Sequence, residues 1–130
     1  QLSYHRYMTT IAIIEDDQVI SQMYRMKFES DGFSVQVAAN GQEGVTLVEA
    51  MRPDIILLDM QMPVMDGLEA LARIRSHDWG KMIPVIVLTN LGEEEAPKSL
   101  RSLGIESYIV KADFTPRQVV DRVKKTLKLA

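Results

Sequence analysis

Apolar and polar positions follow two periods along this chain, and the switches between them outline its elements. The run TIAII at residues 10–14 is β-branched, too short for a helix, and stopped by three acids, Glu15, Asp16 and Asp17. Residues 18–30 then set Val19, Ile20, Met23 and Met26 at helical spacing, ended by Asp31-Gly32. FSVQVA (33–38) alternates with period two, as a half-buried strand does. After Asn40-Gly41, Gly44, Leu47, Val48 and Met51 share one helical face. Pro53 separates that helix from DIILLD (54–59), an unbroken apolar run of the kind covered on both faces of a sheet.

The second half repeats the rhythm. Leu68, Leu71 and Ala72 mark a helix after Gly67, SHDWGKMIP (76–84) reads as a loop, and VIVLT (85–89) as another doubly covered strand. Residues 93–103 are predicted to be a helix with Pro97 near its first turn, stopped by Gly104. IESYIV (105–110) is the fifth strand. The last helix is announced by Thr115 as N-cap and Pro116 at the first helical position, with Val119, Val120, Val123 and Leu127 on one face.

Five strands alternating with five helices predict an α/β fold: a five-stranded parallel sheet, doubly wound as (βα)5, in strand order 2-1-3-4-5. No linker, repeat or low-complexity tract divides residues 9–130, which read as one domain. Residues 1–8 are set apart as a processed or vector-derived leader, expected to be disordered.

Composition narrows the function. A length of 130 residues with 46% hydrophobic and 25% charged residues suits one soluble core. The formal charge of −3 argues against a phosphate-backbone surface, so no nucleic-acid partner is expected. Arg117, Arg122, Lys124, Lys125 and Lys128 read as a solvated helix face with cations at its C-terminal end. The absence of cysteine excludes disulfides and thiolate chemistry and fits a cytoplasmic protein. No apolar run approaches the roughly 20 residues of a membrane span, so no membrane partner is expected.

The candidate chemistry lies where strands end. Glu15, Asp16 and Asp17 follow strand 1, Asp59 ends strand 3, Thr89 ends strand 4, and Lys111 follows strand 5. In open α/β sheets that edge binds ligands where the strand order reverses. Carboxylates crowded there repel one another unless a cation intervenes, and an oxygen-only set suits Mg²⁺. Lys111 and Thr89 then suit the oxygens of an arriving phosphoryl group, with Asp59 as the nucleophile of an acyl phosphate. Neither His5 nor His77 sits at a strand end; both read as exposed.

These residues resemble the receiver domains of two-component response regulators, the CheY-like fold. The resemblance covers about residues 9–129 and rests on IAIIEDD, PDIILLDMQMPVMDG, PVIVLTN and YIVKA, with D-x-x-M-P-x-M-D-G the most specific part. It implies that Asp59 accepts phosphate from the phosphohistidine of a sensor histidine kinase or phosphotransfer protein and that an output partner, not named by the sequence, reads the result. It implies a Mg²⁺ site of Glu15, Asp16, Asp59 and the backbone carbonyl of Gln61, with Asp17 an extra charge at the helix start. Thr89 and Lys111 would contact the phosphoryl group, and Tyr108 matches the aromatic that turns inward on activation. Asn90, Gln61 and Leu91 would tune the phosphate's lifetime. The family is not one of turnover enzymes, and it allows a homodimer. One departure stands out: proline usually follows the lysine across a cis peptide, whereas this chain has Lys111-Ala112, where a cis bond would cost about 3 kcal/mol.

Competing readings fit less well. A phosphatase of the haloacid dehalogenase type needs a second acid two residues after the nucleophile, where this chain has Gln61. A flavodoxin-type flavin site needs a phosphate loop where EDDQV would repel a phosphate. A degenerate receiver that only binds proteins is hard to reconcile with a complete site. Met23, Met26 and Met51 are expected in the core, Met60, Met62 and Met65 on a partner-facing rim, and Trp79 as a loop anchor. Asn40-Gly41 and Asp66-Gly67 read as turn and helix-start signals without chemistry, and GEEEAPK (92–98) as an exposed helix start.

Overall fold

Side-chain alternation in the central strands feeds two separate cores. In the computed structural model, which describes residues 8–129, Ile11, Ile13, Ile55, Leu57, Ile86 and Leu88 point to one face of a sheet. Ala12, Ile14, Ile56, Leu58, Val85 and Val87 point to the other. Residues 1–7 of the expected leader, His5 among them, and Ala130 lie outside the described residues.

The strands are β1 (Thr10–Ile14), β2 (Ser34–Ala38), β3 (Ile55–Leu58), β4 (Val85–Thr89) and β5 (Ser107–Val110), all paired parallel in the order β2-β1-β3-β4-β5. The predicted topology is therefore the observed one, with β2, β3 and β5 slightly shorter than the sequence suggests. Helices α1 (Gln18–Ser30) and α5 (Pro116–Thr126) cover the first face. Helices α2 (Gly41–Met51), α3 (Gly67–Arg75) and the one-turn α4 (Ser99–Ser102) cover the second. Each fully buried Ile or Leu removes enough apolar area to contribute about 1.5–3 kcal/mol.

Helix starts are set by side chains that satisfy free backbone N–H groups. Asp17 accepts from the Ile20 N–H at 3.1 Å, Asn40 from Glu43 at 2.9 Å and Asp66 from Glu69 at 2.9 Å. Thr115 and Gln118 close a reciprocal capping box at α5. Helix ends are held too: Arg75, last in α3, donates to the carbonyls of Gly80, Ile83, Leu103 and Gly104 at 2.6–2.9 Å.

Four expectations are corrected. The helix over 93–103 is broken into a 3-10 turn at Glu93–Glu95 and the short α4, because Pro97 holds Ala96 extended at ψ 148°. Helix α1 buries Ser21, Tyr24 and Phe28, leaving Val19, Met23 and Met26 exposed at 80%, 41% and 70%. Phe28 meets Phe33 edge-on at 5.3 Å, and this aromatic pair sets the rotation of the helix over its thioethers. Met60 and Met65 are buried rather than on a rim, with Met62 partly buried, since the loop after β3 is tied back by Gly67 N–H to Met60 O and Gly41 N–H to Met65 O. In α3 the inward positions are Ala70, Leu71 and Ile74, and Ala72 is exposed.

Met51 and Trp79 do pack against the core as expected, Trp79 between exposed His77, stacked at 4.9 Å, and the Arg52 guanidinium. Of the C-terminal cations, Arg117 and Lys124 pair with Asp31 at the end of α1, and Arg122 lies over Phe114.

Candidate phosphoacceptor site

The site is built where β1 and β3 end side by side, the point at which strand order reverses. Glu15 follows β1 directly, and its N–H donates to Ala38 O on β2. Its carboxylate is buried, one oxygen accepting the Asp17 N–H at 3.0 Å and the other bridged to the Lys111 ammonium. Asp16 is exposed beside it, and Asp17 turns away to cap α1.

Asp59 follows β3, fixed by its N–H to Ile14 O at 3.0 Å. The residue is 7% exposed; its Oδ1 accepts the Gln61 N–H at 3.3 Å and Oδ2 stands 3.5 Å from Lys111 Nζ. One carboxylate oxygen each from Glu15, Asp16 and Asp59 lies within 4.8 Å of the other two. Thr89, fully buried at the end of β4, and Lys111, just past β5, complete the edge. Of the strand-end residues singled out in the sequence, Glu15, Asp16, Asp59 and Lys111 meet in one crevice, Thr89 stands at the same edge of the sheet, and Asp17 serves the helix.

Charge here is out of balance. Burial pushes the Glu15 carboxyl up to about 7, against the pull of Lys111 and the Asp17 N–H, and the Asp59 charge adds to the rise. For Lys111, burial works to lower the pKa, but the Glu15 hydrogen bond and the Asp59 charge outweigh it and the net shift is upward. Three carboxylates face a single lysine, an arrangement that a hard divalent cation neutralises with all-oxygen ligands. The donor set fits Mg²⁺.

The Lys111–Ala112 peptide is trans, as are all peptide bonds of the described residues, and Lys111–Asp113 form a 3-10 turn. Lys111 nonetheless reaches both acids, so the departure from the usual lysine-proline pair does not remove the lysine from the site.

Two roles escape a sequence reading, although Leu91 itself is among the residues expected to tune the site. Gly67 looks like a turn residue, yet a Cβ there would lie 2.2 Å from the Asp59 carbonyl oxygen, so α3 can begin beside Asp59 only with glycine. A poor helix former at a first helical position was the available signal. Leu91 acts through its backbone: its N–H donates to Thr89 Oγ1 at 3.3 Å and its carbonyl accepts from the Tyr108 hydroxyl at 2.7 Å. Backbone roles leave no side-chain trace in a sequence.

Residues 11–124 match the family model of the response regulator receiver domain. The chain belongs to this family. It is a receiver domain of the two-component response regulator type, with the CheY-like fold. The transcriptional regulatory protein SrrA of Staphylococcus aureus is 38% identical over 118 residues, which make up 91% of this chain and 47% of SrrA. The receiver domain thus spans about half the length of the curated relatives it matches. Vibrio cholerae CheY4 superposes with a TM-score of 0.83 at 27% identity, covering 91% of this chain and 98% of that one. The receiver domain of the sensor histidine kinase PA1611 from Pseudomonas aeruginosa has a TM-score of 0.82 at 27% identity, covering 91% and 96% of the two chains. That domain carries a magnesium ion coordinated in its active-site cleft. No helix among the described residues is long and apolar enough to cross a membrane.

Proposed function

We propose that Asp59 is the phosphoacceptor of this receiver domain. The observation that carries the reading is its carboxylate: nearly buried, grouped with Glu15 and Asp16, and 3.5 Å from the Lys111 ammonium. The donor is a phosphohistidine on a sensor histidine kinase or phosphotransfer protein. An Asp59 oxygen attacks phosphorus in line; the P–N bond breaks as the P–O bond forms, and the imidazole leaves with the electron pair and takes up a proton.

Lys111 and Thr89 receive the phosphoryl oxygens, one as a cation and one as a hydroxyl donor. Glu15, Asp16, Asp59 and the Gln61 backbone carbonyl are the residues that would hold Mg²⁺. When bound, that ion neutralises charge on the transferring group and between the carboxylates. Gain and loss of this phosphoryl group are the domain's only chemistry; it turns over no separate substrate. A cytoplasmic location goes with this reading.

The switch runs through Leu91. Drawing the Thr89 hydroxyl toward a phosphoryl group removes the acceptor of the Leu91 N–H. The Leu91 carbonyl is held by Tyr108, so the loop after β4 and the tyrosine move together and present a changed face to the output partner.

Incubation with acetyl phosphate and Mg²⁺ tests the chemistry. One phosphoryl group, removable by hydroxylamine as acyl phosphates are, is the expected result. A hydroxylamine-stable label, or none, contradicts the reading.

A further inference from the structure

Helix α1 buries three side chains, and one of them is a phenol. Ser21 donates to the Gln18 carbonyl within the helix, and Phe28 is spent on Phe33. Tyr24 is 3% exposed, a phenol among the buried side chains of the first core. A cavity of about 260 Å³ opens beside it, between α1 and the loop after β5, lined by Tyr24, Lys111, Ala112 and Phe114. The phenol also feels the site's charges: burial pushes it up, the Lys111 ammonium opposes that, and the Glu15 carboxylate adds to it.

Lys111 must stretch a flexible stem from the end of β5 to Glu15 and Asp59, and fixing such a stem costs rotamer freedom. Its own loop gives little bracing. Ala112 is exposed and has only a methyl group, and Asp113 is exposed as well. Of the other apolar side chains lining the cavity, Ile20 and Phe114 are only partly buried and Met23 is exposed, whereas the Tyr24 ring is locked in the core with Ile11, Ile13 and Val120.

We propose that Tyr24 is a positioning residue for Lys111: its ring is the wall that keeps the lysine stem extended toward Glu15 and Asp59 in a loop that lacks a rigid residue after the lysine. The inference rests on the phosphoacceptor reading only for its effect on rate. Its effect on the lysine itself is independent of that reading.

The test compares the full chain with Y24F, Y24L and Y24M. Side-chain NMR of Lys111 in metal-free protein reports its order through the separation of its two Hε signals. The wall predicts that Y24F keeps that separation and that Y24L and Y24M collapse it. Labelling by acetyl phosphate at saturating Mg²⁺ should stay within about twofold of wild type in Y24F and fall about tenfold in Y24L and Y24M. Mg²⁺ affinity by calorimetry should hold within about twofold throughout, because Lys111 is not a metal ligand, whereas general damage to the fold would weaken it too. Y24M, unbranched and adaptable, keeps the comparison open if Y24L does not fold. An ordered Lys111 in Y24L or Y24M, or loss of its order in Y24F, overturns the proposal. Failure of wild-type labelling counts against the phosphoacceptor reading instead and leaves the NMR comparison to decide on Tyr24.

Discussion

Lys111 and Glu15 form a nearly buried ion pair that joins the loop after β5 to the end of β1, two strands that are not neighbours in the sheet. With side chains only 10% and 5% exposed, the pair forms the rim of the Asp59 crevice. The same burial raises the Glu15 carboxyl to about 7 from an ordinary 4.5.

A pH dependence follows from that shift. Glu15 holds its proton more tightly in the folded state than in the unfolded chain, so its contribution to stability is fully present below about 4.5. It is lost as the pH rises through about 7. In metal-free buffer the thermal midpoint should decline over this window and level off above it. E15Q, which has no proton to lose, should remove the decline, and an unchanged slope in E15Q would show that another group is responsible.

Gly67 should be intolerant of the smallest side chain. A methyl group 2.2 Å from the Asp59 carbonyl oxygen forces α3 or Asp59 to shift. G67A is expected to destabilise the fold by about 2 kcal/mol, as overpacking does, and to slow acetyl phosphate labelling. Chemical denaturation and labelling rates measure the two effects. Wild-type values in both would show that the helix start has slack that this geometry denies it.

Arg75 ties the loop before β4 to the turn before β5 through four backbone carbonyls. R75M leaves these acceptors without a charged donor and should cost roughly 3 kcal/mol. R75K should recover only part, since one ammonium lacks the planar fork that serves all four. Hydrogen exchange should rise at residues 80–83 and 103–105 in both variants; protection equal to wild type would mean that the carbonyls find other partners.

Much of this was legible in the sequence, for identifiable reasons. Strand order, the Thr115 cap and the gathering of Glu15, Asp16, Asp59, Thr89 and Lys111 at one edge follow from periodicity and turn chemistry, which act locally. The misses arose where packing between distant elements decides. The aliphatic pattern of α1 points to Val19, Met23 and Met26, whereas the helix turns Ser21, Tyr24 and Phe28 inward, with Phe28 on Phe33. One proline outweighed a run of good helix formers between residues 93 and 103. The tie between Leu91, Thr89 and Tyr108 uses backbone atoms, and Gly67 matters for a side chain it lacks.

Tyr108 should matter for the switch more than for the chemistry. Its hydroxyl donates to the Leu91 carbonyl, and no hydrogen bond among the described residues links it to the acidic cluster. Y108F is expected to be labelled at close to the wild-type rate and to lose about 1 kcal/mol of loop anchoring. Exchange protection around residue 91 should then respond less to beryllofluoride with Mg²⁺ than in wild type. A full response in Y108F would separate the tyrosine from the switch.

The most direct test of the account is labelling of D59N. Wild-type protein treated with acetyl phosphate and Mg²⁺ should carry one phosphoryl group, mapped by mass spectrometry to the peptide containing Asp59. D59N, nearly isosteric and still flanked by Glu15 and Lys111, should carry none under the same conditions. Stoichiometric, hydroxylamine-labile labelling of D59N would contradict Asp59 as the phosphoacceptor.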